Sequence, residues 1–266
     1  MRIIGKKIIP IIIFLNVILE FDLSSQIKDS EYLTVKSLDS IECKVYIIKD
    51  NANGRIIIKL NSNETLCINN FRGFEQKASI LNNKFIELLF KLPGGTGTGV
   101  NRTVLICISK GKLYKALDVI SMVNSVFKKT YDRYTDSLNL YDESTTYNVD
   151  FKLIQSKNKI FRLMVSEYEK VYSKIDPKQN HEIRDSLYLN FDWRENVFYS
   201  GFINLRGDFV IVNDNEGTTT NRIFKNNKYP TIRLRDAEYY FIDRSWFYRV
   251  LSDKRNFLTV FSDYCK

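Results

Sequence analysis

The chain has 266 residues, of which 44% are hydrophobic, 14% aromatic and 27% charged, and its formal net charge is +9. That supply of apolar side chains can fill a complete core and excludes general disorder. The basic residues are interleaved with acids instead of forming a stripe, and no nucleic-acid-binding motif is present, so a nucleic-acid partner is not expected.

The amino terminus has the layout of a secretory signal peptide. "MRIIGKK" is cationic, "IIPIIIFLNVIL" (8–19) is apolar and "LSSQ" is small and polar. The apolar run is well short of the ~20 residues that span a bilayer, and Pro10 and Asn16 interrupt it. Residues 1–26 therefore read as a signal peptide, cut near Ser25 or Gln26 although no A-x-A stands there. Export to the periplasm or the exterior of a bacterium follows as an expectation, with no stable transmembrane span after cleavage.

Beyond residue 26 the hydrophobic pattern has a period of two, the signature of half-buried antiparallel strands. Ile56, Ile58 and Leu60 share one face, as do Ile86, Leu88, Phe90 and Leu92, and Val104, Ile106 and Ile108. Leu187, Leu189, Phe191 and Trp193 do the same later in the chain. Turn-forming segments separate these runs: "NANG" (51–54), "NSNE" (61–64), "SKGK" (109–112), "SKNK" (156–159), "REN" (194–196) and "LRGD" (205–208). Residues 114–134 fit either an amphipathic helix or strands, and their Val, Ser, Thr and Phe content favours strand. The expected fold is all-β: an antiparallel sandwich or barrel-like sheets built from successive hairpins. The polar gap "DESTTYN" (142–148) suggests two β-rich halves, 27–141 and 147–266.

"PGGTGTGVNRT" (93–103) invites comparison with phosphate-binding loops. A dinucleotide fingerprint fails because Val100 and Arg102 stand where its third glycine is required, and a P-loop fails because Val100 replaces its lysine. A hairpin loop between two strands is the better reading. Gly94, Gly95, Gly97, Gly99 and Arg102 are nevertheless candidate contacts for a partner, with Lys91 and Arg102 available to an acidic group.

The single histidine, His181, lies in the polar segment "KQNHEI" and reads as a solvated loop residue, so histidine-based metal centres and triads are not expected. Four cysteines, Cys43, Cys67, Cys107 and Cys265, fit no zinc spacing; in an oxidising compartment they permit disulfides of unassigned pairing. Asp192 with Glu195, and Asp236 with Glu238, are carboxylate pairs beside aromatics, which is what a glycosidase needs. Arg233, Arg235 and Arg244 stand ready to neutralise the second pair.

Aromatic clusters at 188–202 and 239–250 suit a core between sheets. Exposed members, with Trp193 and Trp246 as candidates, would stack on sugars or anchor a protein. No cofactor and no metal is implied. The sequence thus predicts an exported envelope protein that binds a protein or glycan partner, the alternative being an extracytoplasmic hydrolase with a carboxylate pair.

Overall fold

The computed structural model describes residues 25–26, 30–69, 76–92, 98–127, 143–155, 160–213, 217–235, 237–251, 256–261 and 263. Apart from Ser25 and Gln26, the proposed signal peptide lies outside them. Eighteen strands account for most of the described residues, and the only helical turn among them is a 3-10 turn at Pro177–Gln179.

The strands form three sheets. One has four strands in the order β2 (Ser30–Lys36), β3 (Glu42–Asp50), β4 (Arg55–Lys59) and β5 (Thr65–Ile68). The largest has nine. Its order is β1 (Ser25–Gln26), β6 (Lys77–Leu81), β7 (Phe85–Leu92), β8 (Thr98–Ser109), β9 (Lys112–Phe127), β10 (Glu143–Gln155), β11 (Phe161–Ser173), β12 (His181–Asp192) and β13 (Val197–Tyr199). The last five strands, β14 (Gly201–Asn213), β15 (Thr219–Arg233), β16 (Ala237–Ile242), β17 (Ser245–Val250) and β18 (Phe257–Val260), close into a barrel through a parallel β14–β18 pair. Residues 114–127 are strand, as their composition suggests.

The expected hairpins come from turn chemistry. Lys110 (φ 50°) and Gly111 (φ 72°) form a two-residue turn between Ser109 and Lys112, with the paired positive φ values that match strand twist. "NANG" joins β3 to β4, with Asp50 accepting from the Asn53 backbone N–H. "REN" joins β12 to β13, with Asn196 at φ 59°. "LRGD" differs from expectation. It lies inside β14, where the register shifts between Leu205 and Arg206, and Gly207 adopts φ 108°. The glycine serves a bulge that lets a long strand bend around the barrel.

Burial explains the layers. Ile86, Leu88, Phe90, Val104 and Ile106 face Val35, Val45, Ile47, Ile56 and Ile58 of the four-stranded sheet. The other face of β7 and β8, carrying Phe85, Leu105 and Cys107, is also buried, so β8 is buried on both sides over its last eight residues. Phe85 lies 5.4 Å from Phe161, 5.7 Å from Phe191 and 5.3 Å from Phe198 between ring centroids. Contact between β7 and β11–β13, which are distant in strand order, requires the nine-stranded sheet to roll up on itself.

That same core continues into the barrel through Ile232, Tyr239, Phe241, Trp246 and Phe261. A separate cluster, including Leu205, Phe209, Phe224, Tyr240 and Phe247, fills the barrel interior. β16 therefore buries all six residues, alternating between the two cores. Within the polar gap, residues 143–148 are part of the nine-stranded sheet: Glu143 pairs with Phe127 and the ladder runs to Asn148–Met122.

Candidate functional site

Of the candidate loop residues, Gly94, Gly95 and Gly97 lie outside the described residues. The loop they belong to joins two antiparallel partners, since Leu92 pairs with Val100. No helix amino terminus follows it, because β8 does. Gly99 sits within β8 opposite Asn124, and a Cβ built on it would meet Met122 Cε at 3.7 Å, an ordinary contact.

Arg102 is fully buried. Its Nε and Nη2 each lie 2.6 Å from an oxygen of Asp118, a bidentate pair, and Nη2 also reaches Asp263 Oδ2 at 2.7 Å. The Lys115 Nζ donates to Asp118 at 3.0 Å and to Asp263 at 2.5 Å. Asp263 in turn accepts from the Asn69 backbone N–H at 2.8 Å. The Phe261 ring lies 4.1 Å from the guanidinium carbon. The cluster has two cations and two anions, so it is neutral overall. Its charged atoms satisfy one another, which is what permits their burial. Burial raises the Asp263 carboxyl, but Arg102 and Lys115 outweigh it and hold the group below its ordinary value. Burial likewise works against the Lys115 ammonium, and Asp263 and Asp118 keep it above its ordinary value. The acidic groups that meet Arg102 are thus internal ones.

Trp246 is also buried, and its indole N–H donates to the Lys115 carbonyl at 2.9 Å. Trp193 is different. It is 46% exposed, with its ring 5.3 Å from Phe161 and 5.2 Å from Phe191. Half of the indole rests on the core and half meets solvent.

A cavity of about 430 Å³ lies on the rolled sheet close to the glycine loop. The pairing registers build its wall. Lys77, Leu89 and Thr103 form one cross-strand row, and Ser79 and Glu87 form the next. Asn101 and Met122 are paired further on. β10 contributes Asn148 to Phe151, and Asn148–Met122 is the last pair between β9 and β10. The trough therefore opens where those two strands diverge. Its polar groups are pre-ordered: Ser79 donates to Glu87 at 2.7 Å, and the Thr103 and Ser121 hydroxyls are 2.7 Å apart. Asn148 and Asp150 also border an adjacent cavity that includes Glu167 and Arg184. Sequence reading missed this trough because its residues come from five strands and share no local motif.

The carboxylates singled out in the sequence have other partners. Asp192 caps its own turn by accepting from the Arg194 and Glu195 backbone N–H groups. Glu238 pairs with Arg249 at 3.0 Å and Arg233 at 3.6 Å, and it accepts from the Tyr240 hydroxyl. Asp236 lies outside the described residues. His181 is partly exposed at the start of β12, 3.6 Å from Glu169. Cys67 is disulfide-bonded, whereas Cys43 and Cys107 are free thiols. Among the described residues no group of His, Cys, Asp and Glu is arranged to hold a metal ion.

Comparison with protein-family models, curated proteins and solved structures returned no match.

Proposed function

We propose that this is an exported bacterial envelope protein that binds a glycan in the trough of the rolled sheet. The observation that carries the reading is the lining. Lys77, Ser79, Glu87, Asn101, Thr103 and Asn148 project amide, hydroxyl and charged groups, with Leu89 and Phe151 between them. A sugar offers hydroxyls that both donate and accept, so it suits side chains of both kinds over small apolar platforms. A protein hot spot would instead call for a buried aromatic or Arg anchor. Export is supported by the signal-like amino terminus and by a disulfide at Cys67, which suits an oxidising compartment.

The test is a glycan array followed by calorimetry on the captured ligand. Glu87→Gln and Asn101→Ala are expected to weaken binding at least tenfold while leaving the thermal midpoint nearly unchanged. Absence of any glycan ligand overturns the reading. Amino-terminal sequencing of secreted chain tests export, and a start at Met1 counts against it.

The hydrolase alternative has one observation in its favour: Glu87 and Asp150 both line the trough. Mass spectrometry of a captured glycan after prolonged incubation separates the two readings. An intact ligand supports binding, and a cleaved one supports a glycosidase that uses those carboxylates.

A further inference from the structure

A second cavity, of about 490 Å³, lies between the rolled sheet and the barrel. The two cavities share no lining residue: on β10, Asn148 lines the trough and the preceding Tyr147 lines this cleft. Its walls are apolar, with Ile120 and Val123 from β9 facing Leu234, Tyr239, Tyr248 and Val250 of the barrel unit.

Tyr239, Tyr147 and Arg235, which line the cleft, are already bonded within the protein. The Tyr239 hydroxyl accepts from the Ile120 backbone N–H at 3.1 Å, in the region where β9 has lost its β10 partner. The Tyr147 hydroxyl donates to Glu167 at 2.6 Å. Arg235 is the one charged residue among those lining the cleft, and its Nε lies 3.5 Å from Glu169 while its backbone N–H donates to Glu167. A ligand would therefore meet an Arg235 already paired and Tyr147 and Tyr239 hydroxyls already bonded. It would meet half-buried aliphatic groups, with Val250 44% exposed, and the tilted Tyr239–Tyr248 pair at 6.1 Å. Water gains little in such a space, and apolar surface left wet costs about 25 cal/mol per Å².

We infer that the cleft between the rolled sheet and the barrel is a binding site for a small, uncharged, largely apolar molecule with a ring or branched skeleton. Its volume falls in the ~300–1,000 Å³ range of ligand pockets, and a junction between two structural units is a common place for one. The site is separate from the trough, so either can exist without the other.

The probe is N-phenyl-1-naphthylamine, a neutral fluorophore, titrated against the full folded chain. Saturable fluorescence enhancement with one site per chain is expected. Val250→Asp places a charge on a wall residue already near solvent, and it should weaken binding at least tenfold with the circular dichroism spectrum unchanged. Glu87→Gln, in the trough, should leave the probe's affinity within twofold. If Val250→Asp does fail to fold, Val123→Asn gives the same reading. Absence of saturable enhancement, tighter binding of an anionic naphthalene sulfonate, or indifference to both wall substitutions each overturns the assignment.

Discussion

Arg102 and Asp263 are 161 residues apart in sequence, yet their side chains meet at 2.7 Å inside the protein. The contact joins the strand that follows the glycine loop to the segment that leaves the closed barrel. With Lys115 and Asp118 it forms a latch between the carboxyl-terminal residues and the nine-stranded sheet. Asp263→Asn removes one anion and leaves two buried cations with a single partner. It should cost about 3–5 kcal/mol of stability, read by urea denaturation. Replacing Arg102 by Met and Asp263 by Leu together should cost less than that single change. A loss below about 1 kcal/mol for Asp263→Asn would show that the latch adds little.

The same cluster sets limits in pH. The Asp263 carboxyl is held below its ordinary value of 3.8, so its contribution is fully present above pH 3.8 and is lost as pH falls through the lower folded value. Lys115 is held above its ordinary 10.5, so its contribution is complete below pH 10.5 and is lost as pH rises through the higher folded value. Urea midpoints should therefore be flat with respect to these two groups between those limits. Asp263→Asn should remove part of the acid shoulder, and an unchanged acid profile would assign that shoulder to other carboxylates.

Gly99 lies in a strand, and a Cβ added to it would make only ordinary contacts, with Met122 Cε at 3.7 Å and Asn124 at 4.0 Å. Glycine in a strand interior is entropically costly by about 0.5–1 kcal/mol relative to alanine. Gly99→Ala should hence raise stability by up to that amount. Thermal denaturation decides the sign. Gly99→Phe would instead crowd Met122 and lower affinity at the trough.

The two tryptophans should respond differently. Trp246→Ala opens a cavity between sheet and barrel and strands the Lys115 carbonyl, for a loss of about 3–5 kcal/mol. Trp193→Ala leaves a site already open to solvent and should cost about 1–2 kcal/mol, from its contacts with Phe161 and Phe191. Equal losses would mean that Trp193 is not the exposed residue described above.

Cysteine labelling supplies a check on the layers. Cys43 is half-buried and should alkylate in the native chain. Burial pushes the Cys107 thiol far above its ordinary range, so it should react only on unfolding. Cys67 should react only after reduction. Cys67 should be recovered in a disulfide-linked peptide that contains neither Cys43 nor Cys107. A link from Cys67 to either free cysteine would contradict this arrangement.

The period-two pattern was enough to place Ile56, Ile58, Ile86, Leu88, Val104 and Leu189 in the core, because alternation directly encodes which face of a strand is dry. It also marked the turns at 51–54, 109–112 and 194–196. It could not place Leu105 or Cys107, whose faces are buried by residues far along the chain. Nor did it divide the cluster at 239–250, where Asp243 (φ 48°) and Arg244 (φ 66°) make a hairpin turn with no glycine to announce it.

Composition and periodicity alone thus determined that the chain is β-rich and built from antiparallel hairpins, since those properties depend on neighbours two residues apart. The rolling of the sheet onto Phe85, the burial of Arg102 by Asp263, the barrel closed by a parallel pair and the two cavities beside the end of the β9–β10 ladder were decided only by tertiary structure. Each depends on side chains that meet across tens to hundreds of residues, and such meetings leave no local period to read.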